Sequence, residues 1–331
     1  IWDTSRAKSV SLYGYKRETT PQLNALAESS LRFKFARSAS SYTLTSHLSM
    51  LTGVYPSHHG ARLVRQVYDP SATPSVAADF AAAGYRTGAF VGTGVLAART
   101  GAAWGFEVFD DLVDPPVCDT HAWALVHDLQ AVLGELVPAL HNNGLPHWFQ
   151  DFQRPASEVL ARAAAWIAES DPRPFFCLIN LYDVHWPYVP AEESRAQWVE
   201  PYEGPATGYL MRADGWDESY RMTLADSEHV RQLYDAEMWD LDRQVGAFLE
   251  RLDLGRTALV LTSDHGEAFG EDGLFEHDDI LECQVRVPLC VRPPGGSAPR
   301  VEEQRVCGID IAPTLLDLAG LLDEIQVADG G

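Results

Sequence analysis

The feature that most constrains this chain is an alternation of short apolar, strand-like runs with segments of helical character, each run followed by a polar residue. "TGAFVG" (87–92) follows "PSVAADFAAAG" (74–84), "PFFCLINLY" (174–182) follows "PASEVLARAAAWIAES" (155–170), and "TALVLTS" (257–263) follows "SEHVRQLYDAEMWDLDRQVGAFLERL" (227–252). Parallel strands need a crossover between them, usually a helix, and strands covered on both faces read as unbroken apolar runs. The predicted class is therefore α/β, with a mostly parallel central sheet and helices on both faces. At 331 residues and 46% apolar content the chain can bury such a core as one large domain. No repeat, low-complexity tract or Gly/Ser linker divides it. The opening "IWDTSRAK" reads as a buried strand clipped of its first residues. Residues 113–153 read as a helical insertion, and "DIAPTLLDLAGL" as an amphipathic helix entered through Pro313 and closed by Gly320.

In such sheets ligands bind beyond the carboxyl ends of the strands. Polar residues meet that condition at Asp3, at Asp183 to His185, and at Asp264-His265. A fourth segment stands out: "SYTLTSHLSMLTGVYPSHHG" (41–60) packs seven Ser and Thr residues and three histidines into twenty positions. Carboxylate oxygens and an imidazole nitrogen can hold a divalent cation, and a cation lowers the pKa of a bound hydroxyl until it attacks at neutral pH. A nucleophile at a helix N-terminus would also have free backbone N–H groups beside it to receive anionic oxygens.

The formal charge of −22, from 47 acidic and 25 basic residues, excludes a general nucleic-acid binder, which needs clustered Lys and Arg. It does not exclude a small anionic substrate, provided a cation or helix N-terminus supplies positive charge locally. No run approaches the roughly 18 apolar residues of a membrane span, and no signal peptide opens the chain. The five cysteines are odd in number without CxxC spacing, so they read as free buried thiols. Free thiols and the missing signal peptide slightly favour a soluble, cytoplasmic location. The oligomeric state is not legible.

Five ordered blocks, "DTSRAKSVSLYGY" with "TTPQLNALA", "TLTSHLSMLTGVYPSHHG", "NLYDVHWPYVP", "TSDHGEAFGEDGLFEH" and "RVPLCVRPPG", resemble a sulfatase-like member of the alkaline phosphatase superfamily from Asp3 to about Leu318. The resemblance implies an alkaline phosphatase-like three-layer sandwich. It also implies a single catalytic domain over 1–331, clipped at its first strand and lacking most of the C-terminal subdomain. Sulfatases of this family carry Cys or Ser in C/S-x-P-x-R, converted to formylglycine. Counting back from Thr52-Gly53 puts Thr43 at the nucleophile position, Thr45 at the proline and His47 at the arginine. Threonine has a methyl group on Cβ and cannot be oxidised to that aldehyde. In this slot it resembles the phosphodiesterases, nucleotide pyrophosphatases and phosphotransferases of the superfamily, whose hydroxyl attacks phosphorus and forms a phosphoenzyme.

By the same resemblance Asp3, Asp264 and His265 are metal ligands, with the Thr43 oxygen completing the set. His185 would contact the substrate or protonate the leaving group. His277 falls where relatives carry a Lys or His that touches the transferred group's oxygens. His47 would orient Thr43 or bind a substrate oxygen, with Ser46 capping the helix, while His58 and His59 shape the following loop. There are departures from the family pattern. Thr4 stands where sulfatases show a second adjacent acid, and 90–105 lacks the Lys and His that clamp sulfate, leaving Thr93 and Arg99 as the polar side chains in reach. Asp183-x-His185 does not fit the spacing of two-zinc relatives, which favours one divalent ion (Ca, Mg, Mn or Zn) over two. The expected activity is hydrolysis of phosphate or phosphonate esters, with diesters preferred because few cationic side chains favour a less charged substrate. The alternatives are a sulfuric ester hydrolase and a catalytically silent anion-binding member. Specificity is expected from 113–153 and 194–220.

Overall fold

The computed structural model describes residues 1–61, 68–71, 73–111, 153–208 and 222–322. The insertion expected at 113–153 thus lies outside the described residues apart from Gln153, as do positions 209–220 of the second specificity segment. The strands are β1 (Leu31–Arg37), β2 (Arg86–Val91), β3 (Val108–Asp110), β4 (Phe175–Asn180), β5 (Leu259–Thr262), β6 (Ala268–Phe269), β7 (Phe275–Glu276), β8 (Arg286–Val287), β9 (Leu289–Arg292) and β10 (Arg300–Cys307). The helices are α1 (Pro21–Ala27), α2 (Thr43–Thr52), α3 (Pro56–His59), α4 (Val76–Ala82), α5 (Ala156–Ile167), α6 (Glu192–Trp198), α7 (Leu224–Leu249), α8 (Glu282–Val285) and α9 (Ile311–Leu318).

The main strands form two ladders, β3-β2-β4 and β10-β1-β9-β5, with β8 pairing β1. The segment around Trp2 lies between the two. Trp2 forms parallel bridges both to Leu181, just past β4, and to Ser263, just past β5. Its N–H donates to the Thr262 carbonyl at 2.9 Å, and the next amide, of Asp3, donates to Leu181 at 2.8 Å. Pairing β2 with β3 and β4, and β1 with β10, is parallel, whereas β9 runs antiparallel between β5 and β1. Followed through these pairs and Trp2, the sheet is mostly parallel, with β8 and β9 reversed.

Side-chain alternation along β4 explains the layering. Phe175, Cys177 and Ile179 pack into a cluster with Ala163 of α5 and Leu241 of α7, while Phe176 and Leu178 pack with Phe80 of α4 and Leu316 of α9. Successive strand residues point to opposite faces, so helices cover both sides. Gly88 in β2 is required by this packing, since a Cβ there would stand 2.9 Å from the Trp166 ring of α5. The strands β1 and β10, "LRFKFAR" and "RVEEQRVC", are less apparent in the sequence because charged residues interrupt them. β10 lies at the sheet edge, where charges discourage pairing with another chain.

No disulfide joins the described cysteines; Cys283 and Cys290 are buried, Cys177 and Cys307 partly so. No described helix is long and apolar enough to cross a membrane.

The joint between α1 and α7 uses a buried acid. No side chain of α1's own N-terminal segment caps it; instead Asp242 of α7 accepts from the N–H groups of Gln22 (2.7 Å) and Leu23 (2.9 Å). Burial raises the Asp242 pKa to about 7, against the lowering effect of those two amides. A carboxyl raised above its unfolded value contributes stability that is fully present below about pH 4 and lost as pH rises through the folded value. Urea unfolding of wild type and Asp242→Asn from pH 4 to 8 should therefore show wild type losing roughly 1–4 kcal/mol relative to the variant as pH rises. A gap independent of pH would show that the Asp242 carboxyl is not perturbed in the fold.

Candidate active site

Asp3 leaves the sheet between β4 and β5, and the chain turns at once. Thr4 adopts φ +49°, a left-handed conformation that a β-branched residue rarely takes. Three hydrogen bonds hold it there: its N–H donates to Asp264 Oδ1 (3.2 Å), its hydroxyl to the Val184 carbonyl (2.6 Å), and its own carbonyl accepts from the Tyr234 hydroxyl (2.9 Å). Thr4 therefore braces the centre, and its hydroxyl is committed away from it.

Each acid uses one oxygen in the scaffold. Asp3 Oδ2 accepts from Asn180 Nδ2 at 3.1 Å, and Asp264 Oδ1 accepts from the amides of Thr4 and His265. Asp3 Oδ1 and Asp264 Oδ2 are buried without a hydrogen-bond partner. His265 donates from Nδ1 to the Gly266 carbonyl at 3.0 Å, which leaves the Nε2 lone pair available. That Nε2 lies 3.4 Å from Asp264 Oδ2, 3.9 Å from Asp3 Oδ1 and 3.3 Å from Thr43 Oγ1. Ligand atoms of Asp3, Asp264 and His265 all fall within 4.8 Å of one another, and all three residues are buried.

These residues fit a divalent cation. Two carboxylate oxygens without hydrogen bonds and an imidazole lone pair converge here, with His47 Nδ1 no nearer than 3.6 Å to Asp264 Oδ2, and buried carboxylates without a cation are strongly disfavoured. Burial, then the neighbouring Asp264, pushes the Asp3 pKa well above the usual carboxylate range, while burial lowers that of His265 and keeps it the neutral ligand a metal needs. Among the described residues this is the one such cluster.

Thr43 is the first residue of α2, and Tyr42 occupies the N-cap without a side-chain hydrogen bond to the helix. Ser46 does not cap α2 as expected from the sequence. Its hydroxyl donates to the Asp264 carbonyl at 2.6 Å, pinning the first turn of the helix to the end of β5. His47 is buried; Nδ1 contacts the Thr43 carbonyl at 2.8 Å and Nε2 contacts Asn180 Nδ2 at 3.3 Å. Burial lowers its pKa to about 4. Both ring nitrogens are thus occupied by protein groups, and its contact is to the turn that bears Thr43.

Two further histidines flank the cluster. The His277 ring lies 4.4 Å from His265 and 5.3 Å, edge to face, from His185, which stacks on Tyr182 at 4.2 Å. Burial, then the positive field of His277, holds the His185 pKa well below the usual value, and its Nδ1 donates to the Trp186 carbonyl at 2.7 Å. Burial pulls the His277 pKa down, but the Glu267 carboxylate overrides it and leaves the value raised. Glu267 is fully buried, lies 3.4 Å from His277 Nδ1, and accepts from the Tyr188 hydroxyl at 3.0 Å.

Other polar residues singled out in the sequence serve elsewhere. Asp183 accepts from the Ala156 N–H at the start of α5 (2.9 Å), and burial raises its pKa to about 6. Thr93 is buried and accepts from the Val95 N–H, while exposed Arg99 donates to the Gly94 carbonyl. His59 meets the Ser49 hydroxyl at 3.0 Å and supports the loop after α2; His58 is exposed. Asn180 and Glu267 carried no signal of their own in the sequence, although both stand just past apolar or motif positions at the ends of β4 and β5.

A mostly parallel sheet with a buried Asp-Asp-His cluster beyond its strand ends, facing a hydroxyl at a helix N-terminus, defines an alkaline phosphatase-like α/β centre suited to a metal. The sulfatase family profile matches residues 1–321, and the chain belongs to the sulfatase family. The choline-sulfatase of Rhizobium meliloti is 27% identical over 349 aligned positions, covering 92% of this chain and 64% of that protein. This chain thus spans just under two thirds of that relative's length. The phosphonate monoester hydrolase of Agrobacterium radiobacter superposes with a TM-score of 0.73 at 19% identity, covering 96% of this chain and 72% of that one. The periplasmic domain of EcEptC from Escherichia coli, solved in complex with zinc, superposes with a TM-score of 0.64 at 18% identity, covering 97% of this chain and 80% of that one. The family is metal-dependent, in keeping with the ligand cluster.

Mn2+ at about a hundredfold excess over its dissociation constant should stabilise the metal-free protein by about 2.7 kcal/mol. In Asp264→Ala and His265→Ala that thermal shift should vanish. A shift retained in both variants would place the cation somewhere else.

Proposed function

We propose that this protein is a metal-dependent hydrolase of phosphate or phosphonate esters, with diesters preferred and Thr43 as the nucleophile. The observation that carries the reading is the position of Thr43 Oγ1, 3.3 Å from His265 Nε2 and at the first residue of α2. The hydroxyl stands at the edge of the ligand cluster, where a bound cation would lower its pKa and draw charge from the ester. Thr43 attacks phosphorus, the P–O bond to the leaving alcohol breaks, and water later cleaves the resulting Thr43 phosphoester. The first-turn amides of α2, which lack carbonyl partners within the helix, receive the developing oxyanion.

His277, with Glu267 behind it, is suited to hold a proton near the ester's oxygens and to give one to the leaving alcohol. His185, held neutral, contacts the leaving group. Arg6 does not add positive charge at the centre, because it is buried and spent on Ser9, Glu271 and the Glu267 carbonyl. That sparse positive charge supports an ester carrying a single negative charge, hence the preference for a diester.

A second reading, sulfuric ester hydrolysis, is favoured by the family itself and by the choline-sulfatase relative. Against it stands the threonine at the nucleophile position, which cannot become formylglycine. The phosphonate monoester hydrolase neighbour supports phosphorus chemistry on this fold.

Turnover of bis-p-nitrophenyl phosphate, p-nitrophenyl phosphate and p-nitrophenyl sulfate by wild type and Thr43→Ala separates these readings. The diester should be hydrolysed fastest, and Thr43→Ala should lose at least about a thousandfold in kcat while keeping fold and metal. Faster sulfate release, or a rate indifferent to Thr43, would overturn the proposal. No turnover of any ester would favour a silent anion-binding member.

A further inference from the structure

Asn180 closes β4, is fully buried and opens the block "NLYDVHWPYVP", where the family resemblance gave it no role. The orientation of its carboxamide is fixed by its neighbours. The oxygen faces the Gly92 backbone N–H at 3.3 Å, a donor it shares with the Asn180 backbone carbonyl at 3.1 Å, and the nitrogen faces Asp3 Oδ2 at 3.1 Å, which as a carboxylate can only accept. Gly92 itself packs closely on the end of β4, where a Cβ would stand 3.2 Å from the Asn180 backbone carbonyl oxygen and from Tyr182.

The two hydrogens on Nδ2 have two acceptors, Asp3 Oδ2 at 3.1 Å and His47 Nε2 at 3.3 Å. Since His47 Nε2 accepts, the ring proton is on Nδ1, where it donates to the Thr43 carbonyl at 2.8 Å. One amide thus links a ligand of the candidate metal cluster to the helix turn that bears the candidate nucleophile. A carboxylate with both oxygens free can turn about its Cβ–Cγ bond; one held at Oδ2 presents Oδ1 in a single direction.

We propose that Asn180 is a positioning residue that sets the cation site and the nucleophile together: it occupies Asp3 Oδ2 so that Oδ1 faces the ligand cluster, and it holds His47 in the Nδ1–H tautomer beneath Thr43. The inference rests on the assignment of Asp3 and Thr43 given above. A purely structural role for Asn180 would lower stability in its variants without changing the cation site. Groups that orient a metal ligand typically contribute 10- to 100-fold to metal affinity.

Calorimetric titration of the metal-free protein with Mn2+ tests the first half. Asn180→Ala should bind Mn2+ roughly 10- to 100-fold more weakly than wild type. At saturating Mn2+ its kcat on bis-p-nitrophenyl phosphate should fall by about an order of magnitude or more, with KM within about threefold. Unchanged Mn2+ affinity in a folded Asn180→Ala protein overturns the proposal, and Asn180→Ser serves the same purpose if the alanine variant does not fold. The second half is read on wild type alone. Nitrogen NMR of histidine-labelled protein should find His47 protonated on Nδ1, and protonation on Nε2 would overturn it. Neither Mn2+ binding nor the tautomer requires turnover, so a protein inert toward every ester would sink the hydrolase reading while leaving this one standing.

Discussion

Two carboxylates buried against each other are the constraint on which the centre depends. Asp3 and Asp264 are fully buried, and each is left with one oxygen that no protein donor reaches. Desolvated like charges at close range are costly unless something positive lies between them. Much of the surrounding construction can be understood as the means of holding that unfavourable pair in place. The left-handed turn at Thr4, the Ser46 anchor to the Asp264 carbonyl, and the amide donors to Asp264 Oδ1 all fix backbone around the acids. A fold of this kind keeps its binding potential stored in the unliganded state.

The same arrangement would let a strongly acidic chain take the anionic ester proposed above. Net charge governs the field at a distance, whereas the reacting group meets local charge. Within the centre, positive potential comes from backbone amides at the start of α2, from His277 with its Glu267 partner, and from the cation that the ligand cluster fits. Among the described residues, the buried Arg6 serves a structural end. Arg6 spans Ser9 and Glu271 and lies over the Phe269 ring at 4.5 Å, bracing the loop that carries the Asp264 motif.

The α/β class and the positions of the buried strands were legible because burial on both faces leaves unbroken apolar runs, as in β2, β4 and β5. β1 and β10 were harder to see, since charges interrupt their apolar residues. Asp3, Asp264 and His265 stood out because they follow apolar strand runs, while the family resemblance is what picked Thr43 out of the hydroxyls at 41–46. What the chain order could not supply was which atoms meet. Ser46 looked like a helix cap and instead grips the end of β5, and Asp183 looked like part of the centre and instead receives the Ala156 amide. Asn180 and Glu267 stand inside two of the resembling blocks yet had no role assigned, because their importance comes from contacts with residues 177 and 10 positions away respectively.

The placement of Asp3 follows from the strand segment that carries it. β4 and β5 do not pair directly in the ladders described; Trp2 lies between them, and Asp3 follows it at once. Asn180 approaches Asp3 from the end of β4, and Asp264 from beyond the end of β5. The ligand set is thus shared among three segments far apart in the chain, and it exists only where the sheet brings their ends side by side.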